Sequence, residues 1–129
     1  MKYHVVFEPF AERHYIKSFA KKHPGAWDRT QKGIILEFSL FDLLLEKSIA
    51  EPMSDKNAEV SIWKTEFKIA GTQESRHGSG NRCIVAINKE TAAVHVLLVY
   101  AKTDVNGTHE TNWWKGVIRE NYPDYAKMV

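Results

Sequence analysis

Cysteine is almost absent from this chain. Cys83 is the single cysteine among 129 residues, which excludes an internal disulfide and a zinc site built from cysteines. The six histidines contain no HxxxH or HxH pair, so the sequence predicts no metal site. A chain without disulfides fits a reducing, intracellular compartment.

Long hydrophobic runs and strong net charge are also missing. No apolar run approaches the roughly 20 residues needed to span a bilayer, and the N-terminal MKYHVVFEPFAERHY has no signal-peptide core. We therefore expect a soluble, cytoplasmic protein with no membrane partner. The net charge of +2 and the pI near 8.6 do not by themselves indicate a nucleic-acid binder, so such a function depends on local clusters of charge.

The length and the hydrophobic content predict one globular domain, residues 1–129. At 43% hydrophobic residues, the chain is large enough to bury roughly two-thirds of its unfolded surface. The sequence contains no internal repeat, low-complexity tract or linker that would divide it.

Two amphipathic helices are predicted after a first strand at residues 2–7. The first helix begins at Pro9, because proline suits the first helical turn, and it ends before the next Pro-Gly pair. The second helix begins at Asp28, which has capping-box spacing to Gln31, and its apolar residues continue to Leu45. The two helices should form an antiparallel hairpin that covers a sheet.

Residues 62–102 predict three consecutive strands after a loop at residues 47–59. The first strand, WKTEFKIA, places Lys64, Glu66 and Lys68 on one face, because side chains two apart along a strand point the same way. The third strand, VHVLLVY, is the most apolar run and should lie inside the sheet. The segment therefore predicts a small sheet with a basic face.

Further charged residues lie in the loop between the first two of these strands. This glycine-rich loop, residues 71–80, carries Arg76 and His77, and Arg82 follows at the start of the next strand. GSGNR lacks the spacing of a phosphate-binding fingerprint, and residues such as Arg76 and His77 in a glycine-rich loop are more often solvated than ligands.

The last predicted element is a helix in THETNWWKGVIREN. Asn106 and Gly107 predict a turn before it, and Thr108 or Thr111 is the expected cap. The complete order is β-α-α-β-β-β-α. The predicted fold class is α+β, with a small, mainly antiparallel sheet and an N-terminal helical hairpin packed on one face.

With that order, the strand segment resembles the RelE/ParE superfamily of toxins from bacterial type II toxin–antitoxin systems. RelE-type members have a strand with alternating basic residues that ends at glycine, a strand that opens on arginine, and an apolar strand that ends in a basic residue. The counterparts here are WKTEFKIAG, NRCIVAI and VHVLLVYAK. The resemblance implies a RelE-like fold and a ribosome-dependent endoribonuclease, or in the ParE branch a gyrase inhibitor, held silent by an antitoxin.

RNA cleavage without a metal requires a base for the 2′-hydroxyl, cations for the phosphorane-like charge and an acid for the leaving oxygen. Glu66 is the candidate base, and Lys64 is the alternative. Arg82 is the candidate ligand of the scissile phosphate, because its planar fork matches the phosphate oxygens. Lys68 and Lys102 would add positive charge.

The acid is the point at which the chain departs from the resemblance. RelE-type ribonucleases have a tyrosine acid where this chain has Trp114, and a lysine where it has Glu66. Histidine titrates near neutral pH, so the acid is assigned to His77 or His109. One of the adjacent Trp113 and Trp114 should pack on the sheet and the other stack on a nucleobase; Trp114 is assigned to the stacking role, and Arg76 is interpreted as a further RNA contact.

The leading hypothesis is a RelE-like toxin that cleaves mRNA on the ribosome without metal or organic cofactor. Its expected partners are mRNA, the ribosome and a cognate antitoxin with an acidic binding segment. One alternative is a ParE-like, non-catalytic toxin, and another is a degenerate, non-toxic interaction protein. The charged strand also fits the solvent face of any half-covered sheet, in which Arg82 simply pairs with Glu66 across neighbouring strands.

Overall fold

The computed structural model describes residues 1–105 and 109–129. Within these residues, the strands are β1 (His4–Phe7), β2 (Glu51–Pro52), β3 (Val60–Phe67), β4 (Asn81–Asn88) and β5 (Ala93–Ala101). They form one five-stranded sheet in the order β1-β5-β4-β3-β2. β1 runs parallel to β5, whereas the other neighbouring pairs are antiparallel. The apolar β5 therefore lies inside the sheet, as its sequence predicts.

Helices lie before, between and after the strands. The described helices are α1 (Pro9–Ala11), a π-helical segment (Glu12–Ile16), α2 (Lys17–Lys22), α3 (Ala26–Ser39), α4 (Phe41–Glu46) and α5 (Glu110–Asn121). The first three are continuous and form one helical segment at residues 9–22. No helix in the described ranges is both long and apolar enough to cross a membrane.

The N-terminal helices cover one face of the sheet, which we call the helix face. Phe19 and Trp27 stack on each other at a centroid distance of 5.3 Å, and both pack against Phe67 of β3 at 5.6 and 6.1 Å. Trp63 joins the same buried cluster, because residues two and four apart on a strand share a face. The predicted helical hairpin and the face it covers are confirmed.

α5 covers part of the opposite face, which we call the open face. Trp114 and Ile118 of α5 are 0% exposed and cluster with Ile62, Ile84 and Tyr100 of the sheet. Burial of these side chains contributes about 1.5 to 3 kcal/mol each. The predicted α+β class is confirmed, and α5 leaves polar side chains accessible where β3, β4 and β5 meet.

The second predicted helix differs at both of its ends. It begins at Ala26, two residues earlier than predicted, and Gly25 is the N-cap with a left-handed φ of 78° and no side-chain hydrogen bond. Asp28 is therefore in the first turn and does not cap the helix. The helix is interrupted at Leu40, whose ψ of 42° is not helical, and the interruption turns Phe41 inwards against the sheet at 0% exposure.

The predicted loop at 47–59 contains a short strand. Glu51 and Pro52 pair with Lys64 and Trp63 of β3 and form an edge of the sheet. A two-residue strand has no hydrophobic period, and proline is tolerated at an edge where no ladder donor is needed. The sequence therefore gave no sign of this strand, although it carries Glu51 to the open face.

Two further boundaries differ from the prediction. β3 ends at Phe67, so Lys68 lies beyond the strand. α5 begins at Glu110 with His109 in the N-cap position, so Thr111 lies inside the helix and is not its cap. The turn predicted at Asn106 and Gly107 and the cap predicted at Thr108 lie outside the described residues.

Candidate active site

Three neighbouring strands place a charged pair and a tyrosine side by side on the open face. Glu66 of β3 lies opposite Arg82 of β4, and Arg82 lies opposite Tyr100 of β5. The three side chains project to the same side as Ile62 and Ile84, because alternate residues of a strand share a face. The glycine-rich loop joins β3 to β4. The pairing register of these two strands places Glu66 beside Arg82.

Arg82 is at the centre of the site and is almost fully buried. Its side chain is 3% exposed, and its Nη1 lies 3.1 Å from Oε2 of Glu66. The same nitrogen donates a hydrogen bond of 3.1 Å to the backbone carbonyl of Asn81. Its Nε lies 3.9 Å from Oε2 of Glu110 on α5. The cross-strand pairing of Arg82 with Glu66, left open by the sequence, is therefore observed.

Glu66 connects the buried arginine to an exposed histidine. Nδ1 of His77 lies 2.8 Å from the same Glu66 Oε2 that Arg82 contacts. The His77 side chain is 83% exposed, whereas that of Glu66 is 26% exposed. Because Nδ1 is directed at the carboxylate, Nε2 is the ring nitrogen that a ligand can reach.

A second set of contacts holds Lys64 between two carboxylates. Lys64 Nζ lies 3.9 Å from Glu51 and 3.8 Å from Glu110. The Tyr100 hydroxyl donates a 2.6 Å hydrogen bond to Oε2 of Glu110. Burial, and next this hydrogen bond, raise the pKa of Tyr100 well above its usual range. Tyr100 therefore stays protonated and fixes the carboxylate of Glu110, and it is a poor proton donor for catalysis.

These side chains line a hollow of about 160 Å³ on the open face. Its lining residues are Glu51, Lys64, Glu66, His77, Arg82, Lys102 and Glu110. Lys102 follows β5 in a 3-10 turn and is exposed at the rim. Three carboxylates oppose three lysine or arginine cations, so the prediction of a basic face is wrong. The extra carboxylates come from β2 and α5, which the sequence did not place beside the charged strand.

Two of the predicted RNA contacts lie away from this hollow. Arg76 makes a bidentate ion pair with Glu37 of α3, at 2.7 and 2.8 Å, and reaches Thr65 on the helix face at 3.3 Å. Lys68 lines a separate hollow beside α3. The expectation that Lys68 shares a surface with Lys64 is wrong, because β3 ends before residue 68. The contacts of Arg76 indicate that it fastens the glycine-rich loop to α3.

Two predicted residues near α5 are not part of the hollow either. Trp114 is 0% exposed within the core under α5, so the prediction that it stacks on a nucleobase is wrong. The half-buried Trp113 packs on Tyr100 with a ring distance of 5.0 Å. His109 is exposed at the N-cap of α5, but it is not among the residues that line the hollow.

Sequence reasoning missed Glu51, Tyr100 and Glu110. Glu51 is on a strand without a sequence signal, and Glu110 reaches the site only because α5 docks on the sheet. Tyr100 offered a usable signal, since it ends the apolar strand two residues before Lys102. Among the residues that the structure describes, no three His, Cys, Asp or Glu side chains are arranged to hold a metal ion.

The structure defines a class of protein: an α+β chain with N-terminal helices on one sheet face and an ionic hollow on the other. This fold is RelE-like. The chain is similar to a chain in the crystal structure of the archaeal RelE–RelB complex from Pyrococcus horikoshii OT3, with a TM-score of 0.51. The identity is 10%, and the match covers 81% of this chain and 100% of that chain. At this identity the likeness shows the fold alone.

No protein-family model matches the sequence, and no curated protein matches it.

Proposed function

We propose that this chain is a RelE-like toxin that cleaves mRNA by attack of the 2′-hydroxyl on the neighbouring phosphate. The observation that carries the proposal is the shared oxygen of Glu66, which lies 2.8 Å from an exposed histidine and 3.1 Å from a buried arginine. Such a reaction requires a general base and positive charge near the phosphate, and a carboxylate–imidazole pair beside cations can provide both. The RelE-like fold supports the assignment.

In this proposal His77 is the general base and Glu66 positions it. Nε2 of His77 accepts the proton of the 2′-hydroxyl, while Nδ1–H stays hydrogen-bonded to Glu66. The carboxylate fixes the tautomer of the ring and stabilises the imidazolium that forms, as acids do behind catalytic histidines in general. This proposal changes the roles expected from the sequence, in which Glu66 or Lys64 was the base and His77 or His109 the acid.

The cations of the hollow stabilise the charge that develops on the phosphate. Arg82 is buried, so it acts mainly through the field of its fixed positive charge beneath the hollow. Lys64 and Lys102 are closer to solvent and are the direct ligands of the phosphate oxygens. The leaving 5′-oxygen takes its proton from the ammonium group of Lys64 or from water.

The proposed partners are the translated mRNA on the ribosome and an antitoxin. RelE is found with RelB in the archaeal complex to which this fold is similar, and we extend a protein partner to this chain by that likeness. An acidic antitoxin segment would not be drawn to the charge-balanced hollow. It fits the exposed cations of the helical segment at residues 9–22, where Arg13, Lys17, Lys21 and Lys22 face solvent.

A second candidate function is supported by the burial of Arg82. Its side chain is 3% exposed, and its guanidinium already contacts a carboxylate and a carbonyl, so the hollow is also consistent with a surface that binds a protein and performs no chemistry. In that case the chain is a non-catalytic, ParE-like toxin or a non-toxic interaction protein. Intact message after induction would favour this candidate.

The test is induced expression of the chain from a tight promoter, with primer extension on a translated reporter mRNA. We expect new cuts within codons for the wild type. His77→Ala should reduce cutting at least 100-fold, since general-base catalysis contributes about 10² to 10⁴, and Glu66→Gln should reduce it less. His4→Ala is the matched control, because His4 is an exposed histidine on β1, at the opposite edge of the sheet. Uncut mRNA in growth-arrested cells, or equal cutting by His77→Ala and His4→Ala, would exclude the proposed mechanism.

A further inference from the structure

A second hollow of about 310 Å³ lies on the helix face, at the end of the sheet where β4 begins and β5 ends. This volume is at the lower end of the range for small-molecule sites, about 300 to 1,000 Å³. Its walls are α2, the segment between β3 and β4, and the 3-10 turn after β5. None of the residues that line this hollow, except Lys102, has a role in the cleavage mechanism proposed above.

Asn81 of β4 supplies an unused amide to this hollow. Its residue exposure is 7%, and its side chain lies on the helix face with that of Cys83, because the two are two residues apart on β4. The backbone of Asn81 is occupied: its N–H donates to Ser79 and its carbonyl accepts from Arg82. Within residues 1–105 and 109–129, the side-chain amide makes no hydrogen bond to protein. The amide is not among the described side-chain atoms that are both buried and unpaired, so it is open to the hollow and offers a ligand one donor group and one acceptor.

The other walls of the hollow provide an aromatic pair and hydrogen-bond acceptors that suit a nucleobase. Phe19 and His23 of the N-terminal helices stack with a centroid distance of 6.5 Å and an interplanar angle of 24°. Glu74 and Asp104 contribute carboxylates to the lining, where they can accept hydrogen bonds from the amino group of a base. Lys22 and Lys102 contribute the cations. An aromatic wall with amide and carboxylate groups is typical of nucleobase recognition.

Lys102 joins this hollow to the candidate active site. It lines both hollows, and its backbone N–H donates a 2.8 Å hydrogen bond to the carbonyl of Gly80. Gly80 has a left-handed φ of 76°, which allows the chain to turn into β4 beside Lys102. An RNA strand passing around this end of the sheet would have a phosphate at Lys102 and neighbouring nucleotides on the two faces.

We propose that this hollow is a base-recognition subsite for a nucleotide next to the scissile phosphate, read by the side-chain amide of Asn81. The proposal rests on the proposed function, which it extends from cleavage to sequence preference. The amide pairs with a base edge that has an amino group beside a ring acceptor, as in adenine or cytosine. The carboxylates disfavour uracil, which has no amino group.

The test is binding of the purified full chain to single-stranded 2′-deoxy pentanucleotides, which lack the attacking hydroxyl. Each contains four uracils and one varied central base, and binding is measured by fluorescence anisotropy. We expect the adenine or cytosine oligonucleotide to bind about tenfold more tightly than the all-uracil one. Asn81→Asp replaces the amide donor by an acceptor, so it should shift the preference towards guanine, whose N1–H and N2–H₂ are both donors.

Asn57→Asp is the matched control, because it adds the same charge at an exposed loop position and should leave the order of bases unchanged. Equal binding of all four oligonucleotides by the wild type, or the same order in Asn81→Asp, would overturn the subsite. Thermal melting of Asn81→Asp and of Asn81→Ser shows whether each variant is folded when it is assayed.

The two proposals fail in different ways. If the reporter mRNA stays uncut but binding still depends on the central base and on Asn81, the ribonuclease mechanism is wrong and the subsite stands. If cutting occurs with the same base preference in the wild type and in Asn81→Asp, the mechanism stands and the subsite is wrong.

Discussion

Arg82 links the stability of the sheet to the chemistry proposed for the hollow. Its guanidinium contacts Glu66 of the neighbouring strand and the Asn81 carbonyl, and its side chain is 3% exposed. Removing one partner of a buried pair leaves the other charge without compensation. Any substitution of Arg82 therefore changes the folded state as well as the charge of the hollow.

We expect Arg82→Ala to lower the free energy of unfolding by about 3 kcal/mol, the lower end of the range for a broken buried pair, because Glu66 keeps some contact with water. Urea unfolding followed by tryptophan fluorescence measures the change. Lys102→Ala removes an exposed cation of the same hollow and should change the free energy by less than about 0.5 kcal/mol. Equal stability of Arg82→Ala and the wild type would contradict the buried pair. Because the variant is expected to be less stable, its toxicity is compared with that of the wild type at measured protein levels.

At the scale of elements, a buried tyrosine fastens the start of the sheet to α4. The Tyr3 hydroxyl donates a 2.8 Å hydrogen bond to Asp42, which also lies 3.2 Å from the N-terminal amine. Burial, and then the hydrogen bond, raise the pKa of Tyr3 from 10.0 to about 12. Because the raised pKa favours the neutral form in the folded state, this contribution to stability is complete below pH 10 and is lost as the pH rises through about 12.

Tyr3→Phe should therefore lower the free energy of unfolding by about 1 kcal/mol at pH 7, the typical net value of one hydrogen bond. The difference between the wild type and Tyr3→Phe should shrink as the pH rises from 10 towards 12. Urea unfolding at a series of pH values measures both effects. Tyr125→Phe is the control at pH 7, since the Tyr125 hydroxyl makes no hydrogen bond within the described residues. A difference that grows with pH would contradict the assigned cause.

Elements with a clear hydrophobic pattern were predictable from the sequence. Residue positions that depend on how distant elements pack together were not. The hydrophobic pattern of β3, β4 and β5 predicted three neighbouring strands, and it left open the pairing of Glu66 with Arg82 that the structure shows. β2 has two residues and no period, so Glu51 was missed. Glu110 reaches Lys64 only through the docking of α5, and its position depends on contacts distant in sequence. Trp114 shows the same limit, because the sequence could not decide which of two adjacent tryptophans packs inwards.

At the scale of the whole molecule, positive charge is concentrated on the N-terminal helical segment and not in the hollow. Arg13, Lys17, Lys21 and Lys22 are all exposed there, and Glu12 is the segment's single acidic residue. Lys22 also lines the hollow beside Asn81. A surface of this kind attracts an RNA backbone over a distance set by ionic strength. The small net charge of the chain conceals this asymmetry.

The combined change of Lys17, Lys21 and Lys22 to alanine should weaken binding to the 2′-deoxy oligonucleotides and make it less dependent on salt. Each phosphate contact on a single strand contributes about 0.7 to the slope of log K against log salt concentration, so losing three contacts should reduce the slope by about 2. Fluorescence anisotropy at several salt concentrations measures the slope. The control changes Lys47, Lys56 and Lys89 to alanine, which removes three exposed lysines outside the helical segment. An equal loss of slope in both variants would indicate that net charge alone governs binding. A loss confined to the Lys17, Lys21 and Lys22 variant would show that RNA binds along the helical segment. An acidic antitoxin bound to that segment would then cover the RNA-binding surface.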